Sequence, residues 1–174
     1  MTLSSILLVC TAVWPVVAGD CISVLREADA NCNQLTFKLK PFATQADVET
    51  ACNAYETLKT CSPESIDCAD GGSRYKAICS DSNLKQLASD NVACMRKVMI
   101  GEVGNGDSCL TPTSNDWTWC DLIDHYKTCY GREYQEHCGA KAVEVSNAAA
   151  DAEREYMRSR GDCDRLITED RANR

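Results

Sequence analysis

Thirteen cysteines in 174 residues constrain this chain more than any other feature. So many thiols persist either as disulfides or as metal ligands, and the two uses imply different compartments and different folds. Structural zinc sites take cysteines in close pairs such as Cys-x2-Cys. The nearest two here, Cys61 and Cys68, stand seven positions apart, so disulfides are the expected use. Cys10 falls in residues 2–18, an apolar stretch without a charged side chain that is too short and too early for a membrane span and reads as a secretory leader. Val17 and Gly19 occupy the −3 and −1 positions of a cut before Asp20, which makes residues 1–19 a signal peptide and 20–174 a single cysteine-rich domain. The mature chain keeps Cys21, Cys32, Cys52, Cys61, Cys68, Cys79, Cys94, Cys109, Cys120, Cys129, Cys138 and Cys163. Twelve is even, so six bridges can close with no thiol left over, in any of on the order of ten thousand pairings. The expected localisation is secreted and extracellular.

The apolar spacing is helical throughout. Cys21, Leu25, Ala28, Cys32, Leu35 and Leu39 recur at steps of four and three, a stripe that Pro41 should stop. Thr44 precedes Asp47 by three as a cap, and Val48, Ala51, Tyr55 and Leu58 repeat the spacing up to Pro63. Residues 62–79 carry Gly71-Gly72 and read as a loop with at most a short helix near Tyr75 and Ile78. Asp81 or Ser82 can cap a third helix with Leu84, Leu87, Asn91, Cys94 and Val98 on its inner face. After a glycine-rich loop over 101–114, Ser114 or Asn115 caps a fourth helix through Trp119, Ile123, Tyr126 and Tyr130. The longest stripe follows Gly131, from Tyr134 through Cys138, Ala142, Val145, Ala149 and Ala152 to Tyr156, and its alanine-rich seam lets a neighbouring helix approach closely. With no sustained period-two alternation, the expected fold is an all-α, disulfide-stapled bundle of about five helices.

The cysteines add geometry. Cys21 and Cys32 are eleven residues apart, share a helix face and lie about 16 Å apart along the axis, too far to bond each other. Cys120 and Cys129, nine apart, point to opposite faces and should tie the fourth helix to two different segments, placing it centrally.

With this cysteine framework, the chain resembles a secreted helical family best known in nematodes, the domain of unknown function nineteen, related to chondroitin-proteoglycan core domains. The likeness is carried mainly by Cys120-x8-Cys129-x8-Cys138, the long helix after it and the final Cys163. It implies an extracellular helical disulfide domain without catalytic residues. The chain departs from a glycosaminoglycan-bearing core in having no Ser-Gly dipeptide, and it has no Asn-x-Ser/Thr sequon. A looser likeness, through the segment from Cys52 to Cys61 after a helix with Cys21 and Cys32, is to the helical domains of growth-factor co-receptors and implies ligand binding.

A net charge of −8, from 26 acidic and 18 basic residues, argues against a nucleic-acid partner. One enzyme pattern has to be weighed. The glycines at 101–106 followed by Asp124-His125 in a Cys120 to Cys129 helix resemble a secreted phospholipase A2 site, which needs carbonyls for Ca²⁺, a water-activating His and an adjacent Asp. The order departs from that family: Asp124 precedes His125, and Tyr126 stands where the metal-binding Asp belongs. A partly exposed histidine on a helix beside Asp121 and Asp124 accounts for it better, and with His137 the only other histidine a multi-histidine metal site lacks material. Arg160-Gly161-Asp162, before Cys163, matches an adhesion tripeptide, although Gly161 between charges is also what a helix end looks like. Trp117 offers an aromatic anchor unless it packs in the core, as Trp119 on the stripe should. The expectation is a secreted binding protein with no catalytic activity and no cofactor. Its partner would be an extracellular macromolecule engaged through residues 70–75, 102–107, Trp117 or Arg160-Gly161-Asp162, with lipid carriage as an alternative.

Overall fold

The computed structural model describes residues 18–32, 42–68, 72–110 and 116–167. Residues 1–17 of the leader, the Leu35, Leu39 and Pro41 end of the first stripe, Asp70, Gly71 and the expected caps Ser114 and Asn115 lie outside them, as does the side chain of Cys21. Seven α-helices are described: α1 Ala18–Asn31, α2 Gln45–Cys61, α3 Glu64–Cys68, α4 Gly72–Cys79, α5 Ser82–Met99, α6 Trp119–His137 and α7 Ala140–Ser159, with a 3₁₀ turn at Gly106–Leu110 before α6. The described residues hold no strand beyond one isolated bridge between Thr118 and Leu166. The all-α disulfide-stapled bundle is therefore the observed architecture.

Local sequence sets most helix starts. Thr44 and Asp47 form the expected capping box, each side chain accepting from the other's backbone N–H. Asp81 caps α5 by accepting from the N–H groups of Asn83 and Leu84. Val48, Ala51, Tyr55 and Leu58 are all buried, as the spacing requires.

Three boundaries differ from the sequence reading. Residues 62–79 fold into two short helices, raising the helix number from about five to seven. The second of them is stabilised by burying Tyr75, Ile78 and Cys79, and Gly72 sits so close to the Ile66 carbonyl that any side chain there would collide with it. The α6 cap is Thr118, in a capping box with Asp121. Gly131 does not end that helix, which runs on to His137. The long stripe is instead broken at Gly139, whose φ of +86° only glycine adopts without strain, so Tyr134 belongs to α6 while Ala142 to Tyr156 belong to α7.

The described bridges are Cys32–Cys61, Cys52–Cys79, Cys94–Cys138, Cys109–Cys129 and Cys120–Cys163, and Cys68 is disulfide-bonded as well. Two of the five pairs stay within residues 32–79 and three within 94–163, so among them none joins the two halves. Apolar packing does that: Leu87, Ala88 and Val92 of α5 and Val145 of α7 share one buried cluster with Val48, Tyr55, Leu58 and Ile78. Cys120 and Cys129 lead to different segments, as their opposite faces require. α6 and α7 form an antiparallel pair, because the start of α6 is bonded to Cys163 just beyond the end of α7.

Two outcomes are expected. Peptide mapping of the oxidised protein should recover these five pairs, and Cys52→Ala with Cys79→Ala should lower unfolding free energy by about 3 kcal/mol in denaturant titration. Gly131 lies in a helix, and a Cβ added there would meet nothing within 4 Å, so Gly131→Ala should raise stability by up to about 1 kcal/mol, measured the same way.

Candidate functional site

The α6–α7 seam pairs unlike side chains. Along α6, Trp119, Tyr126, Tyr130 and Tyr134 recur on one face, and Tyr130 and Tyr134 stack with ring centroids 5.6 Å apart. Opposite them, α7 presents Ser146, Ala149 and Ala150. Large rings on one wall and small side chains on the other leave a pocket of about 210 Å³. Met99 from the end of α5 and Leu110 from the 3₁₀ turn also line it.

Each of its charged lining residues is ion-paired. Arg74 of α4 meets Glu153 at 3.0 Å, and Lys127 meets Asp151 at 2.6 Å. All four are at least partly solvated, so these pairs contribute little to stability. They do leave both pocket cations with carboxylate partners. The alanine seam predicts close helix approach, and α6 and α7 are indeed neighbours. It does not predict the pocket, whose only signal in the sequence is Tyr126, Tyr130 and Tyr134 at four-residue spacing ahead of that seam.

The sequence-derived candidates are not brought together. His125 packs its ring on Trp117, centroids 4.7 Å apart, and its buried Nε2 has no hydrogen-bond partner among the described residues. Asp124 is paired with Arg154 at 3.0 Å. The glycine loop sits at the far end of α6, where a side chain on Gly104 would strike His137 and Glu133. His125 and His137 are twelve residues apart on one helix, about 18 Å along its axis, so the loop does not face His125 and the phospholipase-like grouping is not assembled.

Arg160-Gly161-Asp162 closes the C-terminal turn rather than projecting from it. Asp162 is only 6% exposed, and its carboxylate accepts from Arg160 Nε and Arg165 Nη1, both at 3.0 Å. Arg160 also donates to the Tyr156 hydroxyl. An adhesion motif needs its carboxylate in solvent beside a separate cation, and here the two are bound to each other. Trp119 is buried, as expected, while Trp117 is half-buried. In the surface segments expected to make contacts, Tyr75 is buried and Gly106 is too.

The loop over 101–105 is held by backbone bonds to the Lys97 and Val98 carbonyls at its start and by one carboxylate at its end. Glu133, buried in α6, accepts the Asn105 backbone N–H at 2.9 Å. That bond, opposed by burial and helped by the neighbouring Arg132 and His137, holds the Glu133 carboxyl below its ordinary value of 4.5. Asp121 is likewise held below 3.8, first by the Thr118 backbone N–H and then by its hydroxyl. Depressed carboxylates stabilise the fold above their unfolded-state pKa, and that contribution is lost as pH falls through the folded-state value. Thermal unfolding midpoints should therefore be flat from pH 7 to 5 with respect to these groups and should fall below about pH 4.5. Glu133→Gln, which keeps an acceptor but removes the charge, should lower the midpoint at pH 7 and flatten the acid limb.

No helix among the described residues is long and apolar enough to cross a membrane, and the described residues contain no group of three or more metal-ligating side chains. Comparison with protein-family models, with curated proteins and with solved structures finds no match to this chain. None of them identifies the nematode family that the cysteine spacing resembles.

Proposed function

We propose that the protein is an extracellular binding protein that holds a small apolar molecule in the pocket between α6 and α7 and performs no chemistry on it. The observation that carries this reading is the pocket itself: about 210 Å³, walled on α6 by aromatic rings with Leu122 and Ile123, and on α7 by Ser146, Ala149 and Ala150 with Met157. Three features support it. Bridges at Cys109–Cys129 and Cys120–Cys163 anchor α6 at two levels on opposite faces, and Cys94–Cys138 anchors the turn into α7. Such anchoring pre-organises both walls, so that a ligand need not order them. A disulfide-rich framework suits an oxidising extracellular setting, and the leader read at residues 1–19 would deliver the chain there.

A second reading has an observation of its own. Trp117 is half-buried, with its ring tilted 56° against His125, which is the disposition of an aromatic anchor for a macromolecular partner.

Native mass spectrometry of protein recovered from its own extracellular fluid separates the two. The pocket reading expects a retained small organic molecule that is absent from Ala150→Leu, where the added side chain fills the space. Protein bare in both forms, yet capturing a macromolecule that Trp117→Ala fails to capture, would put the second reading first.

A further inference from the structure

We infer that the pocket accepts a compact, uncharged, ring-bearing molecule of about ten heavy atoms with one polar group, of the indole or alkylphenol class, and not a fatty-acid chain or a charged amphiphile. The inference rests on the reading of this pocket as the ligand site and specifies what the site takes.

Size sets the first limit. An apolar cavity of about 150 Å³ is enough to bind benzene, whereas sites for drug-sized ligands span roughly 300–1,000 Å³. A pocket of about 210 Å³ falls between them, with room for one ring and a fused second ring or short substituent. A long acyl chain would have to leave most of its length in water, where its burial brings no benefit.

Charge sets the second. Of the ionic side chains lining the pocket, Arg74 is engaged by Glu153 and Lys127 by Asp151. An anionic ligand would have to displace a carboxylate already within 3.0 Å of Arg74 or 2.6 Å of Lys127. A cationic one would have to separate Glu153 from Arg74. Either exchange swaps one partner for another in a pair that is already partly solvated, so a charged ligand gains little from entering. An uncharged ligand disturbs neither pair.

Shape and polarity set the third. Tyr126, Tyr130 and Trp119 present ring systems from a single helix, and Tyr130 and Tyr134 lie nearly parallel, 16° apart. Flat ligands gain from stacked or edge contacts with such rings beyond the area they bury. Between the alanines of the α7 wall and its N-terminal side stands Ser146, whose hydroxyl both donates and accepts and so suits one N–H or O–H on the ligand.

The test is a calorimetric titration of the full oxidised chain with indole, 4-methylphenol, naphthalene, indole-3-carboxylate and palmitate, in parallel with Ala150→Leu and Ser146→Ala. Indole or 4-methylphenol should bind saturably and at least tenfold more tightly than the carboxylate and palmitate. Ala150→Leu should reduce that affinity tenfold or more, while Ser146→Ala should weaken indole more than naphthalene, which lacks the polar group. The ranking on the unmodified protein needs no variant, so a misfolded Ala150→Leu, detected by circular dichroism, does not remove the test. If palmitate or the carboxylate binds as tightly as indole and Ala150→Leu abolishes it, the ligand class is overturned while the pocket stands as the binding site. If no compound binds, or binding ignores Ala150→Leu, the pocket reading falls with it.

Discussion

The three bridges of the second half hold α6 in place, and the rest of the molecule is arranged around that helix. Cys120 ties its first turn to the segment after α7, Cys129 ties its middle to the 3₁₀ turn, and Cys138, directly beyond its last residue, ties the α6–α7 turn to α5. A helix in a domain with few aromatics would otherwise depend on a modest core. Cross-linking limits the unfolded chain instead, by about 3 kcal/mol for loops of this length. A fixed α6 also allows an incompletely filled seam: the tyrosine face and the alanine face do not interdigitate fully, and covalent ties offset the packing that is missing between them.

The first half has a different logic. Its two described bridges join α2 to the residue just beyond α1 and to α4, and its union with the second half is mainly apolar, through α5 and Val145 of α7, with polar contacts from Arg74 to Glu153 and from the Tyr156 hydroxyl to the Asp67 carbonyl. Short elements such as α3 and α4 exist because this union buries their inner residues. Isolated helices of five and eight residues are too short to be stable in water. The same principle accounts for the C-terminal turn, where Asp162 is buried only because Arg160 and Arg165 both reach it.

Electrostatics contributes position more than energy. The ion pairs across α4, α6 and α7 are at least partly solvated and individually weak. Their effect at the pocket is to leave an apolar space bordered by neutralised charge. Glu133 is the exception: buried and bonded to the Asn105 N–H, it docks the glycine loop against the far end of α6. That loop position separates the glycines from His125, which is why a pattern readable as an enzyme motif does not form one.

How much of this could be read from the sequence depends on the range of the interaction. Capping at Thr44 and Asp81, the buried stripe of α2, the all-α class and the opposite faces of Cys120 and Cys129 follow from neighbours within a few residues, so composition and spacing determined them. The end of α6 at His137 was not readable, because a helical stripe continues through Gly139 with the same spacing and only backbone conformation distinguishes the turn. Nor was α3, and α4 was legible only as a short helix near Tyr75 and Ile78, because the stability of both comes from partners far along the chain. The pairing of the cysteines, the inward turn of Asp162 and the pocket opposite Tyr126 and Tyr130 were decided by tertiary structure alone. Each depends on which faces meet, and a periodic sequence specifies a face without specifying what stands against it.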